Sequence, residues 1–194
     1  MQTHIYLVRH GEVYNPEGII YGRLPNYGLS QKGKEELEQT ADFLKDKNVS
    51  QLFSSPLLRA RQSADIIKTG LGIREVHISN LLYETLTAYE GKKFDSLYHL
   101  QSEVYLKPLS PKDETIEQLA VRMEEFLDHV IAEFKGERIV AVGHGDPIMA
   151  IKAVIKKRPL DFMSFKTDQY IRHGEVLEIT SDGGEHTIRE VFKP

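Results

Sequence analysis

Two histidines in this 194-residue chain stand just beyond similar apolar segments. His10 follows Ile5–Val8, His144 follows Ile139–Val142, and a glycine comes directly after each histidine. A histidine next to glycine at the end of a buried strand belongs on a tight exposed turn rather than in a core. Because ligands of open α/β sheets bind at the carboxyl ends of strands, neighbouring strands would bring both imidazoles into one cleft.

Two arginines could add positive charge to that cleft. Arg9 directly precedes His10, and Arg59 falls in the first turn of a predicted helix that has Ser55 as its N-cap. The free N–H groups and the dipole at a helix N-terminus attract an anion, and a guanidinium binds phosphate through two hydrogen bonds. Two arginines and two histidines would form a site for a dianion such as phosphate.

Several other chemistries are excluded by missing residues or motifs. The chain has no cysteine, which removes thiolate catalysis and cysteine-rich zinc sites. It has no Walker loop, no G-x-G-x-x-G after the first strand and no G-x-S-x-G. Glu12 and Asp146 lie near the histidines without a metal-binding spacing. Elimination leaves histidine itself as a covalent nucleophile, and we expect neither a metal nor a cofactor.

The tetrapeptide Arg-His-Gly-Glu occurs twice, at residues 9–12 and 172–175. The first copy closes a predicted strand, whereas the second opens one. The amino end of a strand normally lies away from the ligand edge of the sheet. We therefore expect His173 to be a loop residue that faces away from the site.

The elements that must position these residues alternate along the chain. Helical patterns occur between short apolar segments, and two of these segments are continuously apolar, as in strands covered on both faces. This order predicts an α/β fold of three layers, a mostly parallel doubly wound sheet with helices on both faces and an antiparallel edge strand. The predicted strands are Ile5–Val8, Gln51–Ser54, Glu75–Ile78, Ile139–Val142, Glu175–Thr180 and His186–Val191; the predicted helices are Ser30–Lys47, Pro56–Thr69 (stopped by Gly70), Asp113–Phe134 and Pro147–Lys157.

Length and composition describe one ordinary globular domain over residues 1–194. Residues 83–111 have no long period, and we expect an insertion of short helices and loops there that covers the active site. The net charge of −4 argues against a nucleic-acid partner. No apolar segment is long enough to span a membrane, and the first residues do not form a signal peptide, so we expect a cytoplasmic protein.

The motifs, taken in order, resemble those of the histidine phosphatase superfamily, the phosphoglycerate-mutase-like enzymes. The resemblance extends over nearly the whole chain. It is carried by Leu7–Glu12 with Asn15, Leu29-Ser30-x-x-Gly33, Phe53–Ala64, Leu82–Glu84, Glu114-Thr115 and Gly143–Gly145.

The resemblance implies a metal-independent phosphomonoesterase that acts on a small phosphorylated metabolite through a phosphohistidine intermediate. It implies that His10 is the nucleophile, that Arg9, Arg59 and His144 surround the phosphoryl group, and that Glu84 is the proton donor. Candidate substrate contacts are Asn15, Tyr21, Arg23 and Gly145, with possible selectors Tyr89, Lys92, Lys93, Tyr98, His99 and Tyr105 in the insertion.

Two alternatives stay open at this stage. One is a cofactor-dependent phosphoglycerate mutase, which is disfavoured because Ile19 stands where mutases carry an arginine and residues 83–111 contain no arginine pair. The other, from a different class, is a catalytically weak protein that binds a phosphorylated ligand.

Overall fold

The computed structural model describes residues 1–94, 110–161, 164 and 169–194. Six strands form one sheet: β1 Thr3–Arg9, β2 Gln51–Ser54, β3 His77–Ile78, β4 Arg138–Gly143, β5 Val176–Asp182 and β6 Glu185–Phe192. Their order in the sheet is β3-β2-β4-β1-β5-β6. The first four strands in this order are parallel, whereas β5 and β6 form an antiparallel edge. The predicted fold class is confirmed, with two antiparallel edge strands.

Helices cover both faces of this sheet. They are α1 Gln31–Leu44, α2 Leu58–Leu71, α3 Ile116–Glu133 and α4 Gly145–Ile155, with 3₁₀ turns at Lys45–Lys47 and Asn80–Leu82. Apolar residues of α1 and α2 pack on one face, and those of α3 and α4 pack on the other. Burial on both faces explains why the segments Ile5–Val8 of β1 and Ile139–Val142 of β4 are continuously apolar.

The ends of α2 differ from the prediction. The helix begins at Leu58 after an N-cap at Leu57, and not after Ser55. The Ser55 hydroxyl is 2.7 Å from Nε2 of His144, so it serves the candidate site instead of capping the helix. Gly70 lies inside the helix against Ala41 of α1, and Gly72, with φ +67°, provides the left-handed C-cap.

The sheet order brings three chain segments to one edge. Because β1 and β4 are parallel neighbours, Arg9 lies opposite Gly143, and His10 N–H donates to the Gly143 carbonyl at 3.1 Å. Since β5 is antiparallel to β1, its amino end lies at this same edge, where Gly174 N–H donates to the Arg9 carbonyl. The expectation that His173 faces away from the site is therefore wrong.

The predicted insertion is described at its two ends only. Its first part pairs with the loop after β1: Ile20 N–H donates to the Lys92 carbonyl, and Gly91 N–H donates to the Ile20 carbonyl. Tyr98, His99 and Tyr105 lie outside the described residues, so the covering of the site by this segment stays a prediction. Among the described helices, none is both long enough and apolar enough to cross a membrane.

Candidate active site

His10 and His144 are both buried, so the expectation of exposed turns is wrong for these two histidines. At the end of β1, the two ring nitrogens of His10 have different partners. Nδ1 is 2.8 Å from the carbonyl oxygen of Gly11, an acceptor, so Nδ1 carries the hydrogen. Arg59 Nε donates to Nε2 at 3.2 Å. Nε2 therefore carries the lone pair that a nucleophilic imidazole requires, and this lone pair faces the Arg59 guanidinium.

The turn that carries His10 is held by two helices. A Cβ on Gly11 would overlap the carbonyl oxygen of Gly33 and the side chain of Leu37, both in α1. From the other side, Gly11 N–H donates to the Ser63 hydroxyl of α2 at 3.2 Å. The glycine after His10 is thus required by close packing against α1.

Arg59 is fully buried in the first turn of α2. Its Nη2 donates to the Gly22 carbonyl at 2.8 Å, and its guanidinium carbon lies 4.7 Å from the centre of the Tyr21 ring. Tyr21 itself lies at the site, with its ring centre 6.5 Å from that of His10. The loop after β1 therefore fixes Arg59 beside the nucleophile.

Arg9 has a carbonyl and an aromatic ring as partners. Nη1 donates to the Ile171 carbonyl at 2.8 Å, and the guanidinium carbon lies 5.2 Å from the centre of the Tyr170 ring. Its Nε is buried and has no hydrogen-bond partner among the described residues. This leaves its positive charge and one donor for an anionic ligand.

His144 is the N-cap residue of α4 and is fully buried. Its ring centre is 5.2 Å from that of His10. Nε2 is 2.7 Å from the Ser55 hydroxyl, whereas Nδ1 is buried without a hydrogen-bond partner in the described part of the chain. Nδ1 is 3.7 Å from Glu84 Oε2, so it is directed toward the site.

Glu84 follows the 3₁₀ turn Asn80–Leu82, and its two oxygens lie in different surroundings. Oε1 accepts the Thr85 N–H at 2.9 Å. Oε2 is 3.9 Å from Arg59 Nη2. This arrangement makes Oε2 the oxygen that can carry a proton into the site.

The electrostatic surroundings favour neutral histidines and a neutral carboxyl group. Burial, reinforced by Arg59 and Arg9, lowers the pKa of His10 well below its usual range, and burial acts likewise on the pKa of His144. Burial raises the pKa of Glu84 to about 7, with the nearby Asp146 acting in the same direction. At neutral pH the site therefore combines an unprotonated nucleophile with a carboxyl group that can donate a proton.

The structure brings His10, Arg9, Arg59, Glu84 and His144 together. Of the remaining predicted contacts, Arg23 donates to the Glu84 carbonyl and to Glu114, both at 2.6 Å. The side-chain amide of Asn15 donates through Nδ2 to the Ile19 carbonyl and accepts the Ile19 N–H through Oδ1. Gly145 packs against Tyr170. Arg23 thus holds the segment that carries Glu84. Direct contact of any of these residues with a substrate stays a prediction.

Sequence reasoning did not assign three residues near the site. His173 lies with its ring centre 5.5 Å from that of His10, and burial next to Arg9 lowers its pKa to about 4. Tyr170 and Asp146 are joined by a hydrogen bond of 2.6 Å. The antiparallel direction of β5, which the predicted edge strand implied, was the signal that could have placed His173 here.

The site also contains three groups that could ligate a metal ion. One ligand atom each of His10, Glu84 and His144 lies within 4.8 Å of the others. The sequence showed no such cluster because the three residues are far apart along the chain. Two guanidinium groups close to these atoms oppose a divalent cation electrostatically and favour an anion.

Comparison with known proteins places this geometry in a family. The model of the histidine phosphatase superfamily, branch 1, matches residues 5–193. The chain is 33% identical over 193 residues to a protein of Hydrogenobacter thermophilus named putative phosphoserine phosphatase 2, covering 95% of this chain and 92% of that protein. It is 28% identical over 164 residues to a probable phosphoglycerate mutase of Erwinia tasmaniensis, covering 80% and 75%.

A solved structure shows the same fold. The fold is similar to that of YhfR from Bacillus stearothermophilus, with a TM-score of 0.85 and 24% identity, covering 97% of this chain and 96% of that one. The family match extends over nearly the whole chain and includes all five residues of the candidate site. The protein is therefore a member of the histidine phosphatase superfamily, branch 1, and a phosphatase.

Proposed function

We propose that this protein is a metal-independent phosphomonoesterase that hydrolyses a small phosphorylated metabolite through phosphohistidine at His10. The observation that carries the proposal is the arrangement around one guanidinium: Arg59 donates to His10 Nε2 at 3.2 Å and lies 3.9 Å from Glu84 Oε2. A phosphoryl group bound at this guanidinium would have a nucleophile on one side and a proton donor nearby.

In the first half-reaction, Arg9, Arg59 and Nδ1 of His144 would hold the phosphoryl oxygens. The lone pair of His10 Nε2 attacks phosphorus, and the ester P–O bond breaks. Glu84 Oε2 transfers its proton to the departing alkoxide oxygen, so the products are the free alcohol and a phosphorylated His10. The positive charges stabilise the transition state because they are already in place before the reaction.

In the second half-reaction, the same carboxylate would act as a base. Glu84 removes a proton from a water molecule while the water oxygen attacks phosphorus, and the P–N bond to His10 breaks. Inorganic phosphate leaves, His10 regains its lone pair, and Glu84 is protonated again. The cycle consumes one water molecule and needs no metal ion.

A phosphoglycerate mutase would share the first half-reaction but return the phosphoryl group to a bound acid. Ile19 supports hydrolysis, because its buried apolar side chain brings no positive charge for a second acidic group. Its backbone forms an isolated antiparallel β-bridge with that of Lys93. The similarity to a probable mutase keeps this alternative testable. The cytoplasmic location expected from the sequence stays a proposal.

The experiment is a phosphate-release screen with the wild-type protein and His10→Ala. The substrates are phosphoserine, phosphoglycerates, sugar phosphates, nucleotides and ribazole phosphate. Release by the wild type alone is expected. A parallel assay measures conversion of 3-phosphoglycerate to 2-phosphoglycerate with and without 2,3-bisphosphoglycerate; bisphosphoglycerate-dependent conversion that exceeds phosphate release would support the mutase. Binding without turnover of any compound would support the weak ligand-binding protein.

A further inference from the structure

A second carboxylate lies beside the proposed proton donor and has no part in the mechanism above. Asp146, the second residue of α4, is 3.5 Å through Oδ2 from the Thr85 hydroxyl. The same hydroxyl is 3.4 Å from Glu84 Oε1. These distances are long for hydrogen bonds, and the Thr85 hydroxyl has one hydrogen, so it lies between the two carboxyl groups and donates weakly to one of them at a time.

Tyr170 fixes the position of Asp146. Its hydroxyl donates to Asp146 Oδ1 at 2.6 Å. Gly145 makes this approach possible, because a Cβ at that position would overlap the Tyr170 hydroxyl. The Arg9 guanidinium also lies over the Tyr170 ring in a cation–π contact. The Asp146 carboxylate is therefore held at the site by its hydrogen bond to Tyr170.

We propose that Asp146 is a positioning residue for the phosphatase reaction: its fixed negative charge, next to Glu84 across the Thr85 hydroxyl, keeps the Glu84 carboxyl group supplied with its proton at neutral pH. This role rests on the proposed function in that Glu84 is taken as the proton donor. Asp146 does not touch the reacting atoms and acts through Glu84.

The charges around Glu84 show why such a residue is needed. Arg59 from α2 and Arg9 from β1 both favour the ionised form of Glu84, and neutral His144 adds no charge against them. A carboxyl group between two arginines would ordinarily lose its proton far below neutral pH. Burial and the negative charge of Asp146 outweigh the arginines and raise the pKa of Glu84 to about 7.

The first test follows the Glu84 carboxyl carbon by ¹³C NMR during a pH titration of the ligand-free protein. The resonance is assigned by its loss in Glu84→Gln. Asp146→Asn keeps the size of the side chain and an acceptor for Tyr170 but removes the charge. It is expected to lower the pKa of Glu84 by about one unit, the lower end of the effect of a close like charge. Asp65→Asn on α2, an exposed position, removes the same charge and is expected to leave this pKa unchanged.

The second test measures single-turnover phosphorylation of the enzyme between pH 5 and 9. With an alkyl phosphate, Asp146→Asn is expected to lose rate on the alkaline side, by about tenfold at pH 8.5, since one pKa unit is a factor of ten in the protonated fraction. At pH 5 its rate is expected to match that of the wild type. With p-nitrophenyl phosphate, whose leaving group needs little protonation, the loss is expected to be much smaller at every pH.

An unchanged Glu84 titration in Asp146→Asn would overturn this proposal, and so would a loss of rate that is equal at all pH values. A loss in Asp146→Asn that exceeds the loss in Glu84→Gln for the alkyl phosphate would also overturn it, because Asp146 would then be the proton donor itself. The NMR titration needs no turnover. If no phosphoester is hydrolysed by the wild type, the proposed function fails while the titration still decides the coupling of Asp146 to Glu84.

Discussion

At the residue scale, His10 is prepared for attack by contacts at both of its ring nitrogens. The Gly11 carbonyl fixes the hydrogen on Nδ1, and the Arg59 guanidinium keeps Nε2 free of a proton because a second positive charge there is unfavourable. His173, which occurs in an identical tetrapeptide, has neither contact among the described residues. The local sequence is therefore the same at both histidines, and only their surroundings in the fold distinguish them.

Glu84→Gln tests the proton donor. We expect it to lower the single-turnover phosphorylation rate with an alkyl phosphate by about 10² to 10⁴, the usual contribution of general acid catalysis. The rate with p-nitrophenyl phosphate should fall much less, since p-nitrophenolate departs without a proton. Equal losses with both substrates would assign the proton transfer to another group, and Glu90→Gln would then be the next variant to measure.

Dialysis against EDTA tests the metal-independent mechanism at the cluster of His10, Glu84 and His144. We expect phosphatase activity to stay unchanged after dialysis and after addition of divalent cations, because the nearby arginines supply the positive charge that a metal would otherwise provide. A loss of activity that one divalent ion restores would show that the cluster binds a metal in the working enzyme.

At the element scale, the turn after β1 is clamped against the start of α1. A Cβ on Gly33 would overlap the backbone of Glu12, and a Cβ on Gly11 would overlap the backbone of Gly33. The backbones at Gly11 and Gly33 thus approach each other more closely than residues with a Cβ would permit. The position of His10 depends on this contact as much as on the sheet.

Gly33→Ala tests this clamp. We expect a loss of unfolding free energy of about 1 to 3 kcal/mol, as for overpacking of a tight interior, and a larger relative loss of kcat than of substrate affinity because the turn must shift. Chemical denaturation and steady-state kinetics measure both effects. Lys34→Ala, at an exposed position of the same helix, is the control and should change neither.

The elements also show how far the sequence determines the site. Apolar periodicity predicted the layers and the sheet type, and the glycine-flanked strand ends predicted that His10 and His144 meet. The role of Ser55 as a partner of His144, rather than as a helix cap, depends on a contact between residues 89 positions apart. The place of His173 depends on the direction of β5. Because β5 is antiparallel to β1, its amino end lies at the edge where the parallel strands have their carboxyl ends.

At the scale of the whole molecule, the sheet order makes one edge rich in buried polar groups. The residues at this edge follow the carboxyl ends of the parallel strands β1, β2 and β4 and precede the amino end of the antiparallel strand β5. The fold must keep Arg59, His10 and His144 buried there. Packing of the two apolar faces has to compensate for the cost of this burial.

The stability of the protein should therefore depend on pH through Glu84. Its pKa is raised from 4.5 to about 7 on folding, so the folded state must hold a buried carboxylate at pH values above 7. The contribution of Glu84 to the unfolding free energy is fully present below about pH 4.5 and is lost as the pH rises through 7. This loss is on the order of 1 to 3 kcal/mol. Glu84→Gln removes the titration. Its stability relative to wild type should accordingly increase between pH 5 and pH 8.5, measured by denaturant unfolding; an equal difference at both pH values would contradict a raised pKa.

The most direct test of the central claim is to trap the phosphoenzyme. Wild type, His10→Ala and His173→Ala are mixed with ³²P-labelled substrate, quenched within milliseconds and assayed for protein-bound label. The phosphohistidine mechanism predicts acid-labile, base-stable label on wild type and on His173→Ala, and none on His10→Ala. Label that persists in His10→Ala, or label on wild type that survives acid, would contradict the assignment of His10 as the covalent nucleophile.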